Sequence, residues 1–148
     1  MILTIKKTTM ITGFEEQTKP LTDQEREVFL PPIIKGLRVK IGKDKAVTNR
    51  DIVRGLKTNL DIKIGEARVR KMINHIRNND IIPCLIATSK GYYIAETPEE
   101  MTDYIDSLFG RVEAIRADAE SMIRQRHERW PDYVPPIDND DPAEWEHP

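Results

Sequence analysis

The sequence is short of the residues from which most chemical centres are built. Cys84 is the sole cysteine, so no disulfide can close within the chain and a cysteine-based zinc site is excluded. The three histidines, His75, His127 and His147, are far apart and share no ligand spacing. Aromatic residues make up only 6%. No apolar run reaches membrane-spanning length. The opening "MILTIKKTTMITGF" is interrupted by Lys6, Lys7 and several threonines, unlike a secretory signal. No glycine-rich phosphate loop is present, because "KIGKDKAVT" lacks its spacing. Neither a Ser/His/Asp nor a Cys/His set stands out, and Cys84, opening an apolar run, reads as a buried small hydrophobe. These absences lead to the expectation of a cytosolic protein that is not an enzyme, uses no cofactor and binds no metal or membrane.

What is present is charge, unevenly spread. The 148 residues carry a formal net charge of −2. Between Lys35 and Tyr92, however, 14 Lys and Arg face 5 Asp and Glu, a net of +9. The rest of the chain holds 9 basic and 20 acidic residues. A basic middle between acidic flanks points to an anionic partner for the middle. The bland alternative is a solvated face on a domain with no such partner.

The pattern of apolar residues divides the chain. Residues 1–20 read as a flexible arm, with Ile2, Leu3 and Ile5 as a possible edge strand. "LTDQEREVFL" opens a helix on a Thr22–Glu25 capping box, and Pro31 and Pro32 are expected to end or kink it. "PPIIKGLRVKIG" begins a second helical piece, with Ile33, Ile34, Leu37 and Ile41 at helical spacing. "AVTNRDIVRGLKT" is the next helix, capped by Thr48. In "GEARVRKMINHIRNND" the residues Val69, Met72, Ile73 and Ile76 form one apolar stripe. Strands are expected at about Cys84–Thr88 and Tyr92–Ala95, joined through Ser89, Lys90 and Gly91. "TPEE" then caps a long helix, from Pro98 to about Arg129. Residues 131–148 are acidic and proline-rich and read as a disordered tail.

The expected fold is therefore mainly α with a small β-hairpin, an α+β chain. Helix, helix, basic helix and hairpin follow one another over residues 21–96, the order of a winged helix-turn-helix domain. The outer face of the third helix offers Arg70, Lys71, Asn74, His75 and Asn78. Asparagine can pair bidentately with adenine, and arginine or lysine with guanine. Arg68 joins this set, and with Arg77 suits phosphate at the flanks. Thr48, Asn49 and Arg50, at the start of the preceding helix, and Ser89 and Lys90, at the hairpin tip, are candidate backbone contacts. Gly65 and Glu66 at the head of the basic helix are less favourable, since the carboxylate would repel a phosphate.

"EARVRKMINHIRNNDIIPCLIATSKGYYIAE" resembles the recognition helix and wing of the biotin-repressor type of winged-helix domain. Val69, Ile73 and Ile76 match its helix stripe, and Lys90-Gly91-Tyr92 match its wing. The stretch is also similar to small winged-helix proteins of phages and prophages, which often carry "KGYYIA" before a long helix. The likeness covers residues 48–96 well, and residues 21–47 and the long helix more loosely. It implies double-stranded DNA binding, sequence-specific or structure-tolerant, by a regulator of transcription or an accessory of replication. It does not imply biotin-ligase activity, because the chain ends before such a catalytic domain.

Residues 97–130 carry a second signal. Met101, Ile105, Leu108, Val112, Ile115, Ala119 and Met122 alternate spacings of four and three, the pattern of a coiled coil. A homo-oligomer, a dimer or higher, is expected from it. A parallel pair would set Arg111 near Arg116, so an antiparallel pair or a larger assembly fits better. The alternative is a helix packed on its own domain through Tyr104, Leu108 and Phe109. The tail places Trp130 and Trp145 among Asp138, Asp140, Asp141, Glu144 and Glu146, which suits a protein partner or a cover for the basic face. The whole chain also admits a second function: an interaction module for a protein partner, with acidic flanks that mimic or mask DNA.

Overall fold

A computed structural model describes residues 18–136. The fold is α+β, mainly helical, with a two-stranded antiparallel hairpin and a long C-terminal helix. The elements are α1 (Leu30–Leu37), α2 (Asn49–Leu60), α3 (Glu66–Asn78), β1 (Leu85–Thr88), β2 (Gly91–Ile94) and α4 (Pro98–Arg129). The chain divides into two compact units, Met1–Met101 and Thr102–Pro148. The expected N-terminal arm lies mostly outside the described residues, as does the tail from residue 137 onward.

The Thr22 hydroxyl accepts from the Glu25 amide at 3.1 Å, and the Glu25 carboxylate accepts from the Thr22 amide at 3.0 Å. This reciprocal cap starts the first helical turns as expected. The prolines, however, do not end the helix. Glu25–Phe29 widen into a π-helical turn, with the Leu30 amide bonded to the Glu25 carbonyl, and α1 continues directly from it. Proline has no amide hydrogen and collides with the carbonyl four residues back. The wider turn shifts the register where that collision would fall, so the chain stays helical through Pro31 and Pro32. α1 ends at Leu37, so Ile41 lies beyond it and instead bridges Ile94 in parallel fashion.

The core is built on the predicted stripe of α3. Val69, Met72, Ile73 and Ile76 are at most 1% exposed. They pack with Leu30, Ile33 and Leu37 from α1, Leu56 from α2, and Leu85 and Tyr92 from the hairpin. Both faces of the hairpin are covered. Leu85 and Ala87 sit opposite Ile94 and Tyr92 on the face toward this core, while Ile86 and Tyr93 pair on the other face and are also buried.

β2 is paired on both edges, a feature the sequence did not announce. Besides β1, it meets Val47, with Tyr92 N to Val47 O at 2.7 Å and Val47 N to Tyr92 O at 3.0 Å. Gly91 lies at this crowded edge with φ of +123°, and a Cβ there would stand 2.5 Å from the Val47 carbonyl oxygen. Neither Ser89 nor Lys90 has positive φ, so the left-handed step of the hairpin falls on Gly91 itself. Both the dihedral and the space demand glycine. Gly91→Ala is expected to destabilise the fold by about 2 kcal/mol or more, read by chemical denaturation. An unchanged midpoint would mean that the Val47 edge yields freely.

Cys84 differs from expectation. It is exposed, with φ of +61°, and it precedes β1 rather than opening it. The backbone turns left-handed there to bring the chain into the hairpin, and its carbonyl accepts from the Ala95 amide at 3.0 Å. That turn carries the thiol away from the core.

α4 has the predicted bounds. The Thr97 hydroxyl caps the Glu100 amide at 3.2 Å, and the Glu100 carboxylate reaches back to the Glu96 amide at 3.4 Å. At its other end the Arg126 guanidinium lies 5.6 Å from the Tyr133 ring centroid, and that of Arg129 lies 5.3 Å from the Trp130 ring. The Arg126–Tyr133 contact and the bond from the Tyr133 amide to the Trp130 carbonyl at 3.1 Å accompany a turn just after the helix.

Candidate nucleic-acid interface

α3 is fixed from within by its stripe and turns a polar face outward. Arg70, Asn74 and Asn78 are exposed, and Lys71 and His75 are half-buried. The side chains of Arg70 and Lys71 make no ion pair or hydrogen bond among the described residues. His75 is linked to the helix end, where the Asn79 side-chain Nδ2 donates to the His75 carbonyl at 2.8 Å and stands 3.3 Å from His75 Nδ1. Gly65 caps α3 without a side-chain bond, and Glu66 occupies the first turn as expected.

Arg68 does not belong to this face. Its Nε donates to Glu25 Oε2 at 2.9 Å and its Nη2 to Glu25 Oε1 at 2.6 Å. Nη1 and Nη2 also donate to the carbonyls of Lys19 and Pro20 at 2.9 and 3.1 Å. The two side chains are only 11% and 7% exposed. Arg68 therefore ties α3 to the first helical turns and to the segment before them. It drops out of the candidate DNA contacts, since its fork is spent inside the protein. The sequence contained a hint of this: Arg68 stands one turn before the fully buried Met72, at the edge of the stripe. Arg77 is likewise drawn inward, donating from Nε to the Leu85 carbonyl at 3.1 Å. It fastens the end of α3 to the start of the hairpin.

At the head of α2 the expected phosphate contacts divide. The Thr48 hydroxyl accepts from the Asp51 amide at 3.1 Å, and the Asp51 carboxylate accepts from the Thr48 amide at 2.9 Å. These bonds hold the Asp51 carboxyl below the usual carboxylate range. Thr48 is thus a cap, and Asp51 puts negative charge where a phosphate was expected. Asn49 accepts a hydrogen bond at 2.7 Å from the Tyr92 hydroxyl, whose ionisation burial pushes up. Arg50 stays exposed with no side-chain partner among the described residues.

The Asn49–Tyr92 bond is the joint that the sequence reading missed. It links α2 to β2, and Arg70 and Arg77 lie near enough to act electrostatically on the same hydroxyl. The head of α2, the outer face of α3 and the hairpin are thereby brought together. Ser89 and Lys90 are exposed at the hairpin tip. The Thr88 hydroxyl shapes that tip, accepting from the Lys90 amide and donating to the Gly91 carbonyl, both at 3.2 Å. After these reassignments Arg50, Arg70, Lys71 and Lys90 remain the cations of the candidate surface, and Asn74 and Asn78 are exposed on the same helix as Arg70 and Lys71.

In the second unit the heptad residues are largely uncovered. Ile105, Val112, Ile115 and Met122 are exposed, Leu108 is half-buried, and Phe109 beside them is 66% exposed. Met101, at the boundary of the first unit, is half-buried. Trp145 and the acidic residues from Asp138 onward lie outside the described residues.

Among the described residues no group of three or more His, Cys, Asp or Glu could hold a metal ion, and no helix is long and apolar enough to cross a membrane. No family model, curated protein or solved structure matches the chain.

Proposed function

We propose that the chain binds double-stranded DNA through a winged-helix domain over residues 21–96 and associates with itself through α4. The observation that carries this reading is the two-sided character of α3. Its inner stripe is at most 1% exposed, while Arg70, Lys71 and Asn74 project from the other side beside a hairpin tipped by Lys90. A helix held rigidly by its core face can present side chains to base edges in the major groove without a large ordering cost. Arg70 and Asn74 are the base-reading residues, and Lys71, Lys90 and Arg50 position the domain on phosphates.

The test is duplex binding by fluorescence anisotropy at low salt, with the double variant Lys71→Ala, Lys90→Ala as comparison. The variant is expected to bind at least about tenfold more weakly, since each lost phosphate contact removes released counterions. Equal affinity of the two proteins would overturn this interface.

A further inference from the structure

We infer that α4 pairs with the α4 of a second copy in antiparallel orientation, about a two-fold axis between Glu113 and Ala114. This deepens the self-association proposed above and rests on it, but not on DNA binding.

The first observation is the uncovered seam. Ile105, Val112, Ile115 and Met122 are 43%, 50%, 68% and 57% exposed, and they recur with Leu108 and Ala119 at the a and d positions of a heptad. The remaining positions agree with that assignment: Asp106, Gly110, Glu113, Ala117, Glu120 and Arg124 all fall on the opposite, outward side. Gly110, which weakens a helix interior, lies there and leaves the seam intact.

The second observation is size. In a parallel pair each residue meets its own copy, so Ala119 would face Ala119 of the second copy and leave a gap in the seam. In the antiparallel pair Ile105 faces Met122, Leu108 faces Ala119, and Val112 faces Ile115. The small Ala119 then meets the larger Leu108, and the other layers pair two large side chains, so no gap is left in the seam.

Charge supplies the third. The parallel pair sets Arg111 beside Arg116 of the second copy. The antiparallel pair instead sets Arg111 beside Asp118, twice by symmetry. It also brings Phe109 against Arg116, whose stem and guanidinium can cover the ring. Arg111 and Asp118 have no ion-pair partner among the described residues, so both are available to a second chain.

The experiment uses the full chain with Cys84→Ser, into which Ile105→Cys or Met122→Cys is introduced separately. In the antiparallel pair the two copies of position 105 are about 26 Å apart, and each lies opposite position 122. Under a thiol–disulfide redox buffer, neither variant alone is expected to crosslink, while their mixture forms a disulfide-linked dimer. Sedimentation is expected to show a dimer that Asp118→Arg weakens about tenfold, with Arg111→Asp added to Asp118→Arg restoring it. Crosslinking of Ile105→Cys chains to one another would overturn the antiparallel pairing while leaving self-association intact. A monomer in sedimentation would overturn both, and duplex binding measured separately would then stand or fall by itself.

Discussion

Replacing Arg68 by alanine is expected to cost about 3–5 kcal/mol of folding stability, the loss seen when one partner of a buried ion pair is removed. The substitution strands the Glu25 carboxylate, which is 5% exposed as a residue, and releases the carbonyls of Lys19 and Pro20. Arg68→Lys should recover only part of the loss, because an ammonium group cannot reproduce the two-toothed contact with Glu25. Urea denaturation measures both, and a cost below about 1 kcal/mol for Arg68→Ala would contradict the assigned role. The same pair sets an acid limit. The bond from Arg68 holds the Glu25 carboxyl down to about 2, against the opposing effect of burial. A carboxyl depressed in the folded state stabilises the fold above its ordinary value. That contribution, roughly 3 kcal/mol, fades as the pH falls from about 4.5 toward 2. Arg68→Ala should flatten this part of the stability profile.

Reversing charge at Arg70 and Lys90 together is expected to lower duplex affinity by about a hundredfold or more, with stability changed by no more than about 0.5 kcal/mol. Both side chains are exposed and make no internal bond among the described residues, so Arg70→Glu with Lys90→Glu removes nothing that holds the fold. The contrast with Arg68 and Arg77 is informative. Alanine at either of those positions should act through folding, because both guanidiniums bond within the protein. Anisotropy and denaturation on the four proteins separate the classes. Wild-type affinity in the doubly reversed variant would remove this surface from consideration.

The α3 stripe, the bounds of α4 and the position of the hairpin were legible because each rests on local signals. These are a 3.6-residue period, a Thr-Pro-Glu-Glu cap and a glycine after a polar pair. What was not legible depends on residues distant in sequence. Nothing near Arg68 announces that Glu25, 43 residues away, will face it. Val47, the partner of Tyr92 in the second bridge, lies outside any run long enough to read as a strand, and the Asn49–Tyr92 bond joins residues 43 positions apart. Pro31 and Pro32 are expected to end or kink the helix because the rule assumes an α register, whereas a π turn over Glu25–Phe29 carries the chain on as helix through both. The candidate surface is accordingly narrower than its sequence-level outline: Thr48, Asn49 and Arg68 serve the fold, while Arg50, Arg70, Lys71 and Lys90 face outward.

The most direct measurement of the central claim is the salt dependence of duplex binding. With Arg50, Lys71 and Lys90 on phosphates and Arg70 on a base edge, the logarithm of the association constant should fall against the logarithm of salt concentration. A slope of about −2.7 is expected for each chain engaged, reduced by about one on Lys90→Ala. Absence of binding at low salt, or a slope that Lys90→Ala leaves unchanged, would contradict the account.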